Sequence, residues 1–400
     1  PNSPGWFIWV LPFLVLYQSR SDKIAINLSV IFSIAYLINV LATSELNFLY
    51  AFEDHYIVDL FDTLITEYFI LQLLQTFILF SGGLIALRMW REGITRSSFF
   101  RFNQKPITLG IAGDSGAGKD TLSDSLESLI GSHSVVKLSG DDYHKWDRHG
   151  PMWQVMTHIN PMANDLQSFS NDLLSLIDGK SINQRHYDHS SGKMTKPRLV
   201  KSNQFILVSG LHTFSLPLAR DVCDLKVFLN IDEDLRKFFK IKRDVNERGH
   251  TLEKVLSSIE SRKIDSERFI DPQAIHADML ISLKPLNKES LKNFEDTGDP
   301  NLKLEVKIRN SYNEASLQRV LIGICGLHVD LVTNKDGSES TLTIEGDSKA
   351  EDMAQAAALL SSETLEYLDE NPVWEDGMHG IMQIVIFSQI SQLVTRSVVD

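Results

Sequence analysis

Between Gly113 and Thr121 the chain reads GDSGAGKDT. Gly113, Gly116 and Gly118 let backbone amides approach an anion closely, and Lys119 supplies a cation that can reach terminal phosphate oxygens. With Asp114, Ser115, Ala117, Asp120 and Thr121 they form a loop read here as a cradle for the phosphates of a nucleotide. Where a serine or threonine normally follows the lysine, this chain has Asp120. Further along, SGDDYH carries adjacent carboxylates, Asp141 and Asp142, and QFILVSGLH carries Ser209.

The elements that must position these groups follow from periodicity. KPITLGIAG reads as a buried strand beginning after Pro106, and KDTLSDSLESLIG as a helix, with Leu122, Leu126, Leu129 and Ile130 at helical spacing and Gly131 as its stop. The loop therefore falls at a strand-to-helix junction, where unpaired amides and the positive end of the helix dipole favour anions. SVVKLSGDDYH, QFILVSGLH, DLKVFLNID and ADMLISL read as further strands with helical sequence between them. That alternation predicts a parallel sheet with ligands at the carboxyl ends of its strands, so Asp141, Asp142, Ser209 and the loop from Gly113 are expected on one rim.

The 400 residues divide sharply in composition. Residues 1–95 read as a membrane region with two or three transmembrane helices. Ile24 to Ala42 has no charge and matches the ~30 Å hydrocarbon thickness at ~1.5 Å per residue. Leu64 to Trp90 is the second candidate, with Gln72 and Gln75 expected to face a neighbouring helix. Gly5 to Tyr17 is short and contains Pro12, which leaves an interfacial segment or part of a span; with no basic region before it, a cleaved signal peptide is not expected. Basic residues (Arg20 and Lys23; Arg88, Arg91, Arg96, Arg101 and Lys105) flank a loop carrying Glu45, Glu53, Asp54, Asp59 and Asp62. The positive-inside rule then predicts a multi-pass membrane protein with its water-soluble part cytoplasmic. Cys223 and Cys325 lack metal-ligand spacing and read as free buried thiols. A net charge of −13 argues against nucleic acid as a partner.

Taken in order, GDSGAGKDT, SGDDYHKWDR, HINPMAND, RHYDHSSG, VSGLH, KIKRDVNERGH and RKIDSERFIDPQ resemble the phosphoribulokinase and uridine kinase family, with the closer likeness to phosphoribulokinase. The likeness covers roughly residues 106–283. It implies an α/β P-loop kinase fold, preceded here by the membrane segments and followed over 301–400 by a small α+β extension. It also implies ATP and Mg2+ as cofactors and an alcohol group as phosphoryl acceptor. By the same resemblance Asp141 is the base on the acceptor hydroxyl, with Asp142 next in line, and Arg148 holds a sugar phosphate. His144, Tyr187 and His189 match acceptor-pocket positions, with Arg185 clustered beside them. KFFKIKRDVNERGH would form a helical lid whose Arg243 and Arg248 cover the nucleotide phosphates; Lys237 and Lys240 are read as a solvated helix face.

Two positions depart from the family pattern. Asp120 replaces the loop hydroxyl, and Ser209 stands where the relatives commonly have the glutamate of EGLH. An exchange of roles, carboxylate from the loop and hydroxyl from the strand, would leave the same kinds of oxygen ligand around the metal. The expected activity is transfer of the ATP γ-phosphate to a sugar phosphate or related small polar acceptor at the cytoplasmic face of the membrane. A lipid-linked acceptor and a nucleotide-sensing pseudokinase remain as alternatives. In the extension, LHVDLVTNKDGSESTLTIEGD predicts a hairpin around Asp336 and Gly337, and AEDMAQAAALL a helix packed on it, with an interface or scaffold role; a homo-oligomer is compatible with this.

Overall fold

The computed structural model describes residues 10–12, 14–15, 23–43, 68–96, 105–148, 150–188, 190–246, 251–292, 300–309, 314–368 and 372–399. Its two compact units are Pro1–Phe100 and Arg101–Asp400.

In the first unit, helices α1 (Lys23–Thr43) and α2 (Tyr68–Arg96) pack through Leu28, Phe32, Ile85 and Met89. A Cβ on Gly82 would lie 3.1 Å from the Phe32 ring, so the glycine lets the helices approach. Their other faces carry exposed Ile31, Ile34, Leu37, Leu79, Phe80 and Leu87. Among the described residues, Gln72–Trp90 is long and apolar enough to cross a bilayer, and Ile26–Val40 is a shorter apolar stretch. Gln75 is half-buried; Gln72 is exposed rather than facing a neighbour.

The second unit begins with β1 (Ile107–Gly113), α3 (Lys119–Ile130), β2 (Val135–Ser139) and, after a 3-10 turn over Gly140–Tyr143, α4 (Leu166–Ile177). Two small antiparallel pairs follow, β3 (Ile182–Gln184) with β6 (Arg198–Val200) and β4 (Tyr187–Asp188) with β5 (Lys193–Met194). Then come β7 (Phe205–Gly210), β8 (Leu225–Ile231), α5 (Glu233–Asn246), α6 (Leu252–Phe269) and β9 (Met279–Pro285). The strands β2, β7, β1, β8 and β9 are parallel neighbours, as the alternation of strand and helix sequence requires.

The region from 301 does not form a separate sheet. Strand β10 (Leu302–Arg309) pairs antiparallel with β9. After α7 (Glu314–Gly323), the predicted hairpin appears as β11 (His328–Thr333) and β12 (Glu339–Glu345), with β12 on β10. The result is one eight-stranded, mostly parallel sheet in the order β11-β12-β10-β9-β8-β1-β7-β2. Helix α8 (Ala350–Leu360) buries Met353, Ala356 and Ala357 in the same core as Leu342 and Ile344 of β12. The last helix, α9 (Gly377–Val399), packs on α3, the helix that leaves the glycine loop. Gln383, fully buried, donates to Ser125 O (3.0 Å) and Val373 O (3.2 Å) and accepts from Glu375 N (2.8 Å), tying the extension to α3.

Candidate active site

The adjacent strands β1, β7 and β2 deliver the expected rim. Ser209 is in register with Ile111 on one side and Ser139 on the other, so the loop, Ser209 and the DDY turn emerge side by side. A Cβ on Gly210 would lie 3.0 Å from Gly140 Cα, so glycines at both positions let the two strand ends close up.

Gly116 and Gly118 have φ of 83° and 87°, a region costly for other residues, and added Cβ atoms there would meet nothing within 4 Å. The loop thus has an open concave face bounded by the amino end of α3. Lys119 is buried and donates to its own loop at Asp114 O (2.9 Å). Asp114 accepts from Ser115 N (2.6 Å) and pairs with Arg236 of α5. These features fit the phosphates of a nucleotide. Asp120 and Thr121 are exposed in the first turn of α3. Ser209 is 6% exposed, on the face of β7 shared with Phe205 and Leu207, which is the face that α3 covers. Among the described residues no group of three His, Cys, Asp or Glu could hold a metal. Magnesium is commonly bound through one or two protein oxygens plus substrate phosphates, so Asp120 and Ser209 fit it as the protein's share.

The two adjacent carboxylates have different surroundings. Asp141 is 25% exposed, with Oδ1 3.7 Å from His144 Nε2. Asp142 is buried; it accepts from Gln184 Nε2 (2.9 Å) and Tyr187 N (2.7 Å) and lies 3.2 Å from His186 Nδ1. Burial raises its pKa, against the Tyr187 amide and the His186 charge. Asp142 therefore anchors the β3–β4 segment, an arrangement that turns it away from service as a second base.

His144 is buried, stacks on His158 with centroids 3.4 Å apart and meets the Tyr187 ring edge-on at 4.9 Å. Desolvation lowers the His158 pKa to about 3 and that of His212 to about 4. Arg148 lies beside Tyr187, whose pKa is raised by burial and opposed by the Arg148 charge. The exposed Arg185 lines a cavity of about 550 Å³ whose wall also includes Asp142 and His144, together with Lys145, Asp165 and Asp172. His189 and Arg248 lie outside the described residues, and Arg243 sits in α5 with its side chain outside them.

Other cations at the site were not singled out by the sequence reading. Lys240 is not a solvated residue: it is 7% exposed, and its pKa is lowered to about 8 by desolvation and by Arg262 and Arg236, against Asp244 and Asp114. Arg262 of α6 lies over the Trp153 ring at 5.4 Å; desolvation and then Arg148 lower its pKa. Arg148, Arg262, Lys240 and Arg236 thus form a continuous electrostatic neighbourhood from Tyr187 to Asp114 of the loop. The available signal was spacing: Arg236, Lys240 and Asp244 recur every four residues on one face of α5.

The sequence pattern of the Phosphoribulokinase / Uridine kinase family matches residues 108–290. A uridine kinase of Staphylococcus epidermidis is 31% identical over 193 residues, which are 47% of this chain and 93% of that protein. The chain belongs to the phosphoribulokinase/uridine kinase family. Chloroplastic phosphoribulokinase of Spinacia oleracea is 34% identical over 46% of this chain and 50% of its own length; the Synechocystis enzyme is 36% identical over 45% and 54%. This chain thus spans about half the length of the curated phosphoribulokinases it matches. In fold it is similar to phosphoribulokinase from Rhodobacter spheroides, with a TM-score of 0.50 at 18% identity over 71% of this chain and 99% of that one. Members of this family are phosphotransferases that use ATP with Mg2+ and a hydroxyl acceptor.

Proposed function

We propose that this protein transfers the γ-phosphate of ATP to a hydroxyl of a small phosphorylated acceptor. The observation that carries this reading is the placement of Asp141 on the rim beside the glycine loop, with Arg148 and Arg262 on its acceptor side. In that arrangement the loop amides and Lys119 hold the nucleotide, Asp141 accepts the hydroxyl proton, and the acceptor oxygen forms its bond to phosphorus as ADP departs. Arg148 binds the acceptor's own phosphate through a planar fork that suits a phosphate ester. Arg236, Lys240 and Arg243 answer the charge of the phosphates during transfer. Asp120 and Ser209 would hold the magnesium ion, whose chemistry when bound would be Lewis-acid stabilisation of negative charge on the phosphates.

The apolar faces of α1 and α2 support attachment to a bilayer, and the distribution of basic residues supports a kinase unit at its cytoplasmic face. The test is ADP release from Mg-ATP by the full chain in detergent and in vesicles, against sugar phosphates, nucleosides and lipid-linked alcohols. Transfer to a soluble phosphorylated acceptor supports the proposal, whereas transfer only to a bilayer-borne alcohol replaces the acceptor class. The departures at Asp120 and Ser209 favour a second reading, a nucleotide-sensing pseudokinase. Tight Mg-ATP binding with no transfer to any acceptor or to water would select it.

A further inference from the structure

The strand-like bridge between His144 and Asn164 brings these two side chains together beside Asp141. Asn164 is 5% exposed, and its amide nitrogen faces two backbone carbonyls, His158 O at 2.9 Å and Asn160 O at 3.0 Å. A carbonyl can only accept, so both positions require the NH2 group, and the orientation of the amide is fixed. Its oxygen, Oδ1, then lies 2.7 Å from His144 Nδ1 and must accept from it. Neutral His144 is consequently held as the Nδ1–H tautomer, with its Nε2 lone pair directed toward Asp141 Oδ1, 3.7 Å away.

A lone pair facing a carboxylate is unproductive until one of the two groups carries a proton. We infer that Asn164 and His144 act as positioning residues that prepare Asp141 to receive the acceptor's proton. When the acceptor O–H bond breaks and Asp141 becomes a carboxylic acid, rotation about its soft χ2 presents the new O–H to Nε2. The resulting hydrogen bond exists only after the proton has moved, so it lowers the energy of the state that phosphoryl transfer creates. The distance is longer than a hydrogen bond, as is common for catalytic groups before substrate is bound.

The surroundings favour His144 for this part. His158, stacked on it, is itself oriented through Nε2 to Trp146 O (3.1 Å), and His212 through Nε2 to His158 O (3.3 Å). Both are driven toward the neutral form by burial, to about 3 and about 4, so neither adds charge to the stack above pH 5. Among the described residues, Tyr187 from β4, raised by burial, Arg148, whose charge opposes a second cation, and Asp147, which acts on Tyr187, also face this cluster. Asp142 is turned away into its own hydrogen bonds.

This inference rests on the phosphotransfer reading, but its test needs neither ATP nor acceptor. Ring-nitrogen NMR of the full chain with 15N-labelled histidine, His144 being assigned by its loss in His144→Phe, reads the tautomer directly. The expected result is Nδ1–H in the neutral wild type, lost in Asn164→Leu. Asp141→Asn should lower the His144 titration midpoint by roughly one pH unit, because a facing carboxylate favours the imidazolium. A neutral wild type in the Nε2–H form, or a midpoint unmoved by Asp141→Asn, would overturn the inference. Should Asn164→Leu fail to fold, the wild-type tautomer and the Asp141→Asn titration decide alone. An absence of transfer activity in the acceptor panel would overturn the function without altering these ring states.

Discussion

Replacing Lys240 by methionine is expected to stabilise the free protein while weakening its hold on ATP. Lys240 is 7% exposed, and burial together with its like-charged neighbours Arg262 and Arg236 lowers its pKa from 10.5 to about 8. Below pH 8 it is protonated in both the folded and unfolded chain, and the fold carries the full cost of a buried, repelled cation. As pH rises from 8 to 10.5 the folded chain loses this proton first, so stability increases across that window; above it no cost remains. At about 1.36 kcal/mol for each pH unit, the cost at pH 7 is about 3 kcal/mol.

Methionine has similar length and no charge, so Lys240→Met should recover much of this, a rise in Tm on the order of 5 °C for a unit of this size. Thermal unfolding of the full chain between pH 6.5 and 10 measures it, and the advantage of the variant should shrink above pH 8. Saturating Mg-ATP should reverse the order, because the phosphates add negative charge where Asp244 and Asp114 do not offset burial and the two arginines. A variant no more stable than wild type at pH 7, or a stability gap independent of pH between 8 and 10, would refute this account of Lys240.

Asp141→Asn should keep nucleotide binding but lower turnover by a factor on the order of 100 or more, the range for a positioned base, whereas Lys119→Ala should weaken ATP binding as well; full activity in Asp141→Asn would remove the base assignment. In a double-mutant cycle, Asp120→Thr together with Ser209→Glu should retain more activity than either single change, with the coupling visible in the magnesium dependence; additive losses would reject the exchange. Gln383→Leu removes the three buried bonds to Ser125 O, Val373 O and Glu375 N and should cost on the order of 3 kcal/mol in denaturant unfolding. A loss below about 0.5 kcal/mol would mean that water or a local shift satisfies them.

Every strand expected before residue 286 is present, because a parallel sheet buried on both faces writes itself as short apolar runs with glycines and acids at their carboxyl ends. The rim was legible for the same reason. Long-range pairing was not. The alternation in LKLEVKIR and ESTLTIE marks β10 and β12 as strands, but nothing local says that they extend the sheet through β9. Asp141 and Asp142 look equivalent in a string; the 3-10 turn and the β3–β4 segment, more than forty residues later, separate them into a rim carboxylate and an anchored one. Lys240 was hidden by counting basic residues instead of following their period, and the charge that meets it from Arg262 arrives on another helix.

The same distinction between local type and spatial partner bears on the two departures from the family pattern. A carboxylate and a hydroxyl are both hard oxygen donors, and magnesium keeps several of its ligands from water and substrate, so exchanging the two between loop and strand need not change the charge around the ion. What must be preserved is that both positions open on one site. The Ser209 side of β7 is the side covered by α3, and Asp120 stands in the first turn of α3 directly after Lys119. A carboxylate and a hydroxyl on these two elements, beside an intact glycine loop and a rim carboxylate at Asp141, are the donor chemistry on which the proposed phosphotransfer rests.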